Sequence, residues 1–178
     1  MLQLLIVSAL YGATMKTADL LDEHGLRWFK GDAIVFGVLW GFFGSLLVAS
    51  RTDIANVILA MILAFIVRMR IDYINHTIAV VMIITTFVWL SPFNLTLFLT
   101  FFVVFVIFGK LRDYTGEVRK KKDWIHKYNE HPWYYIIPTA VYGLFTGNWI
   151  IFSVFSIYII SYDIVKYGLF SMKKYHNL

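Results

Sequence analysis

Apolar residues fill seven long stretches of this chain, and each stretch is stopped by a short polar interruption. The stretches run over Met1–Met15, Ala33–Ser50, Ile54–Met69, Thr77–Leu90, Asn94–Gly109, Tyr134–Phe145 and Trp149–Gly168. The interruptions are Lys16 with the acidic run to His24, Arg51–Thr52–Asp53, Arg70–Ile71–Asp72, Ser91–Pro92–Phe93, Lys110–Trp133 and Thr146–Gly147–Asn148. A membrane-spanning helix takes about 20 residues, so seven spans would use about 140 of the 178 available. Strands of a membrane barrel alternate apolar with polar positions, whereas Phe101–Phe108 is apolar on every side. The pattern therefore predicts an all-α polytopic membrane bundle of about seven transmembrane helices, or six if the first run is not a full span. It predicts a single transmembrane domain over 1–178 with one polar loop at about 110–133. The first run has no basic leader and only a loose small-residue cleavage pattern at Gly12–Ala13–Thr14, so it reads as an uncleaved helix reaching about His24, with Gly25 as its stop.

Composition agrees with this reading. The chain is 60% hydrophobic and 15% charged, whereas a soluble domain carries about 45–50% apolar and about 25% charged residues. A soluble globule is excluded, and so is a disordered chain, which needs low hydrophobicity. With no cysteine, disulfides, thiolate metal sites and thiol nucleophiles are absent.

Charge then sets an orientation. Of the sixteen Lys and Arg residues, only Arg51 falls in the connections of one side. Lys and Arg mark the cytoplasmic side, so the N-terminus is expected outside and the C-terminus inside, in a multi-pass protein of the plasma membrane if the cell is prokaryotic. The run Arg119–Lys122 suits anionic headgroups and does not call for nucleic acid. Trp124, Trp133, Tyr134 and Tyr135 suit the aromatic belt at the cytoplasmic interface, with Trp89 and Trp149 at the other.

All five histidines and every carboxylate except Asp53 lie on the cytoplasmic side, so any site is expected to open there. Three clusters lie close to the membrane. In the first, Asp19, Asp22 and Glu23 oppose the dipole at the end of a helix, an arrangement that invites basic side chains or a divalent metal such as Mg²⁺. In the second, Arg68 and Asp72 fall one turn apart if the third helix runs through Asp72, and His76 opens the fourth. There Arg68 and Arg70 suit a phosphate, and Asp72 and His76 suit proton transfer. The third sets Asp163 one turn from Lys166 in the last helix, as a self-neutralising pair or as a catalytic carboxylate beside a phosphate-binding lysine. Gly37, Gly41 and Gly44 form a small-residue stripe for close helix packing, within the chain or in a homodimer.

The Asn-Asp-x-x-Asp pattern of intramembrane prenyltransferases, the Asp-Gly signature of CDP-alcohol phosphotransferases, His-Glu-x-x-His and Gly-x-Ser-x-Gly are all absent. The expected function is a small membrane enzyme acting on a lipid or lipid-linked phosphate at the cytoplasmic leaflet. His76, Asp72 and Asp163 would be catalytic, Arg68, Arg70 and Lys166 would bind phosphate, and Asp19, Asp22 and Glu23 would hold metal. In length and hydrophobicity the chain also resembles the substrate-binding membrane subunits of modular vitamin importers, which implies capture of a small molecule by Arg51, Asp53, Asn94, Thr146 and Asn148. A third expectation is an assembly subunit that docks a protein partner through the basic loop.

Overall fold

The computed structural model describes residues 1–22, 25–115 and 133–176, with side chains as far as Leu169. Among the described residues the chain forms seven helices and no strand: α1 (Leu2–Asp22), α2 (Asp32–Ser50), α3 (Thr52–Val67), α4 (Ile74–Leu90), α5 (Leu95–Asp113), α6 (Trp133–Thr146) and α7 (Ile150–His176). Four of them are long and apolar enough to cross a membrane: α1, α2, α5 and the Ile150–Leu169 part of α7. α3 and α4 are shorter apolar helices.

The bundle is organised around α3. Apart from Leu63, every residue from Ile54 to Phe65 is buried. A helix that is apolar all round is stable only when all of its faces are covered, and α2, α4 and α5 pack against it. The outer helices touch in the order α4, α2, α1, α7, α6, α5. Their outward faces remain apolar: Ile34, Val38, Phe42 and Leu46 form an exposed stripe at i, i+4 spacing on α2, as do Leu95, Leu99, Val103 and Ile107 on α5. Exposed apolar stripes of this size suit a hydrocarbon surround better than water. Trp89 and Trp149 also point outward, at the end of the bundle opposite His76.

Small residues set the closest helix approaches. A methyl group added at Gly37 would stand 2.8 Å from the Asn75 backbone, and one at Gly41 would stand 2.8 Å from Met82 Sδ. Gly44 is packed against Ile83 and the Tyr11 ring. The whole glycine stripe is therefore covered by α4 and α1 within one chain, which removes it as a face for a second copy. On α1, Gly12 lies directly on the Tyr158 carbonyl of α7, and the adjacent Ser8 hydroxyl donates to the Val154 carbonyl.

Three boundaries differ from or refine the sequence pattern. α1 continues to Asp22, followed by Gly25 in the left-handed region at φ 66°. α5 does not stop at Gly109 but carries Lys110, Leu111, Arg112 and Asp113 as a further helical turn. α3 stops at Val67 and does not run through Asp72. There the Met69 N–H bonds to the Ile66 carbonyl at 2.9 Å, the Arg70 N–H reaches back to the Phe65 carbonyl at 2.9 Å, and Met69 takes φ 55°. This is a Schellman cap with methionine where glycine is usual. Glu23, His24 and 116–132, which hold most of the basic loop, lie outside the described residues.

The stripe yields a test. Alanine has a helix propensity about 1 kcal/mol better than glycine, whereas forcing a methyl into a filled contact costs about 1–3 kcal/mol. Gly37→Ala is therefore expected to lower the melting temperature in detergent, and Gly168→Ala, whose added methyl meets nothing within 4 Å, to leave it unchanged or raise it. Equal responses from the two variants would contradict the packing described here.

Candidate functional site

Polar side chains from α1, α4, α5, α6 and α7 and from the link between α3 and α4 converge at the end of the bundle where α1 finishes and α4 begins. α1 supplies Lys16 and Asp19, both buried in its last two turns. A lone carboxylate at that depth would be costly, because a charge without water needs ionic or hydrogen-bonding partners. Asp19 has several. Its Oδ1 lies 3.1 Å from His76 Nε2, and its Oδ2 accepts from the Tyr162 hydroxyl of α7 at 3.2 Å. The Lys16 ammonium is 3.6 Å from the same Oδ2 and 5.1 Å from the centre of the Tyr162 ring.

His76 stands in the first turn of α4, held by its neighbours. The Asn75 side chain donates to the Ala18 carbonyl at 3.0 Å and accepts the His76 N–H at 2.8 Å, fixing the start of α4 to α1. The ring sits edge-on to Trp40 and to Tyr73. Its Nδ1 faces the Arg70 carbonyl at 3.2 Å and Asp72 Oδ1 at 3.3 Å. Among the described residues these partners of the two ring nitrogens are all oxygen acceptors, an arrangement satisfied when both nitrogens carry hydrogen.

The expected Arg68–Asp72 pair does not form. With α3 capped at Val67, the chain turns, and Asp72 goes to His76 while Arg68 reaches across to α5. Arg68 Nε and Nη2 each donate to the Asp113 carboxylate at 2.9 Å, and Arg70 Nη2 joins at 2.6 Å. The Arg68 side chain is only 2% exposed. Its guanidinium lies flat over Gly109, where any side chain would displace it. Beyond this clamp, Arg112 Nη1 donates to the Tyr134 hydroxyl at 3.4 Å, and Tyr134 donates to Tyr135 at 3.2 Å. Both tyrosines are buried, so they line the interior of the bundle and do not belong to the aromatic belt. The Tyr135 ring touches Phe105 and Tyr158, which carries the contact on to Tyr162.

The structure thus brings Asp19, Arg68, Arg70, Asp72 and His76 into one region. Asp22 is half-buried at the end of α1, and Glu23 lies outside the described residues. Among the described residues no three His, Asp or Glu side chains are grouped to hold a metal ion, and the Asp19 oxygens are engaged by protein donors. Asp163 is half-buried beside Tyr162, and Lys166 lies one turn further along with its ammonium over the Tyr167 ring. Arg112, Asp113, Tyr134 and Tyr135 were not expected in a site. Their one sequence signal was the Lys110–Asp113 continuation of an apolar helix, which reads equally well as the start of the loop.

The opposite end is different in kind. An open cleft of about 360 Å³ is lined there by Arg51, Thr52, Asp53, Asn94, Leu97 and Tyr142. Its charges satisfy each other: Arg51 Nε and Nη2 donate to the two Asp53 carboxylate oxygens at 3.0 and 2.9 Å, and the Asn148 amide donates to Asp53 at 2.7 Å. The fully buried Asn56 donates to the Thr52 and Pro92 carbonyls and accepts from the Asn94 N–H, tying the α4–α5 link to α3.

Comparison with protein-family models, with curated proteins and with solved structures gives no match.

The two ends respond differently to charge removal. Asp113→Asn leaves a buried guanidinium without its counter-ion, so a loss of about 3 kcal/mol or more is expected in detergent unfolding. Arg51→Gln removes an exposed pair and should cost no more than about 1 kcal/mol. A smaller loss for Asp113→Asn than for Arg51→Gln would show that the Arg68–Asp113 clamp does not hold α3 to α5.

Proposed function

We propose that this protein is a small multi-pass membrane enzyme acting on a lipid or lipid-linked phosphate at the cytoplasmic leaflet. The observation that carries the reading is the gathering of polar side chains at one end of the bundle, buried at Lys16, Asp19, His76 and Tyr134 and partly exposed at Arg70, Asp113 and Arg112. Ionisable groups gathered inside a membrane bundle are expensive, and they persist where a substrate or ion is handled. The distribution of Lys and Arg over seven proposed spans supports a cytoplasmic position for this end, in the plasma membrane if the cell is prokaryotic. The 16 residues of α3 extend about 24 Å, less than the roughly 30 Å of bilayer hydrocarbon. Its polar end is therefore recessed, at the depth where the phosphate of a lipid drawn slightly inward would lie.

In this reading the arginines neutralise phosphate charge, a water oxygen bonds to phosphorus as the ester P–O bond breaks, and His76 passes to the leaving oxygen the Nδ1 proton it shares with the exposed Asp72, to be restored by a proton of the attacking water. Asp19 and Asp72 position the ring and stabilise its protonated form. A magnesium ion, if used, would be held by a carboxylate such as Asp22 and would supply further neutralisation of the phosphate charge, since this small cation takes only one or two carboxylates. A second reading, a binding or transport subunit, draws support from the cleft around Arg51 and Asp53. It is the weaker, because those charges already satisfy each other.

Native mass spectrometry of the detergent-purified chain, with and without chelator, tests the proposal. A retained phosphate-bearing lipid is expected. His76→Gln and Asp19→Asn should keep the lipid and lower its turnover by at least about a hundredfold, the usual contribution of a general acid. Retention of a co-purifying polypeptide with no lipid would favour an assembly subunit docked on the basic loop. Ligand protection confined to the Arg51 cleft would favour transport.

A further inference from the structure

The open cleft opposite His76 has room for a ligand, and its unused polar groups are nearly all of one kind. Its volume of about 360 Å³ is that of a small ligand site. The carboxylate that lines it is fully engaged. Asp53 Oδ1 accepts from Arg51 Nε at 3.0 Å and from the Ile54 N–H at 2.9 Å. Its Oδ2 accepts from Arg51 Nη2 at 2.9 Å and from the Asn148 amide at 2.7 Å. A carboxylate offers about four lone-pair sites, so none is left for a cation or an amine. Asn148 accepts the Ile150 N–H with its own oxygen, and the Thr146 hydroxyl donates to the Tyr142 carbonyl and accepts the Asn148 N–H. Asp53, Thr146 and Asn148, expected to capture a small molecule, are thus engaged with the protein itself.

What remains is a set of donors. Arg51 has five N–H groups and gives two of them to Asp53, which leaves three, enough for a second fork across Nη1 and Nη2. The grip of Asp53 on the other edge fixes the guanidinium plane, so little freedom is lost when a ligand takes this fork. Asn94 accepts the Leu97 N–H with its oxygen at 3.1 Å, and its amide nitrogen is left to donate. The Thr52 and Tyr142 hydroxyls have no hydrogen-bond partner among the described residues, and each has a hydrogen to give. Leu97 and the Tyr142 ring add apolar surface to the same cleft. The exposed Trp89 and Trp149 mark this end of the bundle as the level of lipid headgroups.

We infer that this cleft binds a phosphodiester, the group that joins a membrane lipid to its headgroup. A phosphodiester presents four oxygens and no hydrogen, which matches donors arriving from Arg51, Thr52, Asn94 and Tyr142. A carboxylate has only two oxygens to offer them. The Arg51–Asp53 pair is neutral as a whole, so one added negative charge is tolerated at this water-facing position far better than the nearly two of a phosphomonoester. The same group comes with acyl chains in a bilayer lipid and without them in a soluble glycerophosphodiester. The inference is independent of the enzyme reading, whose site lies at the other end.

The test titrates the full chain in maltoside detergent with dihexanoyl phosphatidylcholine in one arm and glycerophosphocholine in the other, reading thermal stabilisation and retention in native mass spectra. Wild type should bind the short-chain lipid. Arg51→Gln should bind it roughly tenfold more weakly, and Tyr142→Phe, which keeps the ring, roughly threefold. Lys110→Gln, which removes an exposed charge at the opposite end, should match wild type. Equal, Arg51-dependent binding of both probes would keep the site and make a soluble diester its ligand, as the transport reading requires. Wild-type affinity in Arg51→Gln overturns the assignment, as does an equal loss in Lys110→Gln. A loss in Arg51→Gln with wild-type affinity in Tyr142→Phe also overturns it, since the phosphate would then sit on the guanidinium outside the cleft. Failure of wild type to bind either probe does the same, and each of these outcomes leaves the enzyme reading standing.

Discussion

Lys16 and Asp19 are charged residues on a helix that lies among apolar neighbours, and no water is at hand there to solvate them singly. The geometry of one end of the molecule follows from that requirement. Asp19 must collect donors, and it does so from α4 through His76 and from α7 through Tyr162. His76 must then find acceptors for its far side, which fixes the Arg70 carbonyl and Asp72. Arg70 and Arg68 in turn converge on Asp113, drawing the end of α5 inward. A bundle of apolar helices can slide, since one aliphatic contact resembles the next. The chain of charge partners gives the contacts at this end a specific register, because a partly satisfied buried network is worse than none.

The backbone contributes strain where this network needs it. Met69 occupies a left-handed conformation that L-residues other than glycine and asparagine seldom adopt, and it stands 85% exposed, so its side chain gains little by packing. What the turn achieves is directional. It ends α3 one residue before Arg68 and sends Arg68 and Arg70 toward the same carboxylate. At the opposite end the equivalent task is done without strain by Asn56, whose amide donates to the Pro92 carbonyl and accepts the Asn94 N–H of the link between α4 and α5.

The helices themselves were legible in the sequence, because an apolar run with a charged stop is a direct consequence of the surround. Arg51 separates α2 from α3 as expected, and Gly25 follows the end of α1. Pairings distant along the chain were not legible. Nothing local at Arg68 distinguishes Asp72, four residues away, from Asp113, which lies forty-five residues away. Hydropathy also cannot separate a helix that continues past its apolar core from a loop that begins there, so Arg112 and Asp113 read as loop. Tyr134 and Tyr135 carry both an apolar body and a hydroxyl, which suits a membrane interface and a buried network alike.

The contact between α1 and α7 also sets an order of assembly. Gly12 and Ser8 meet the Tyr158 and Val154 carbonyls, and Asp19 meets Tyr162, across more than 140 residues of chain. During synthesis α1 is made long before α7 exists, so Asp19 lacks its Tyr162 partner until the last helix follows. Until then the flank of α1 that carries Gly12 and Ser8 is uncovered. The seam between α1 and α7 can therefore close only once the last helix has been made, and the ring of outer helices closes with it.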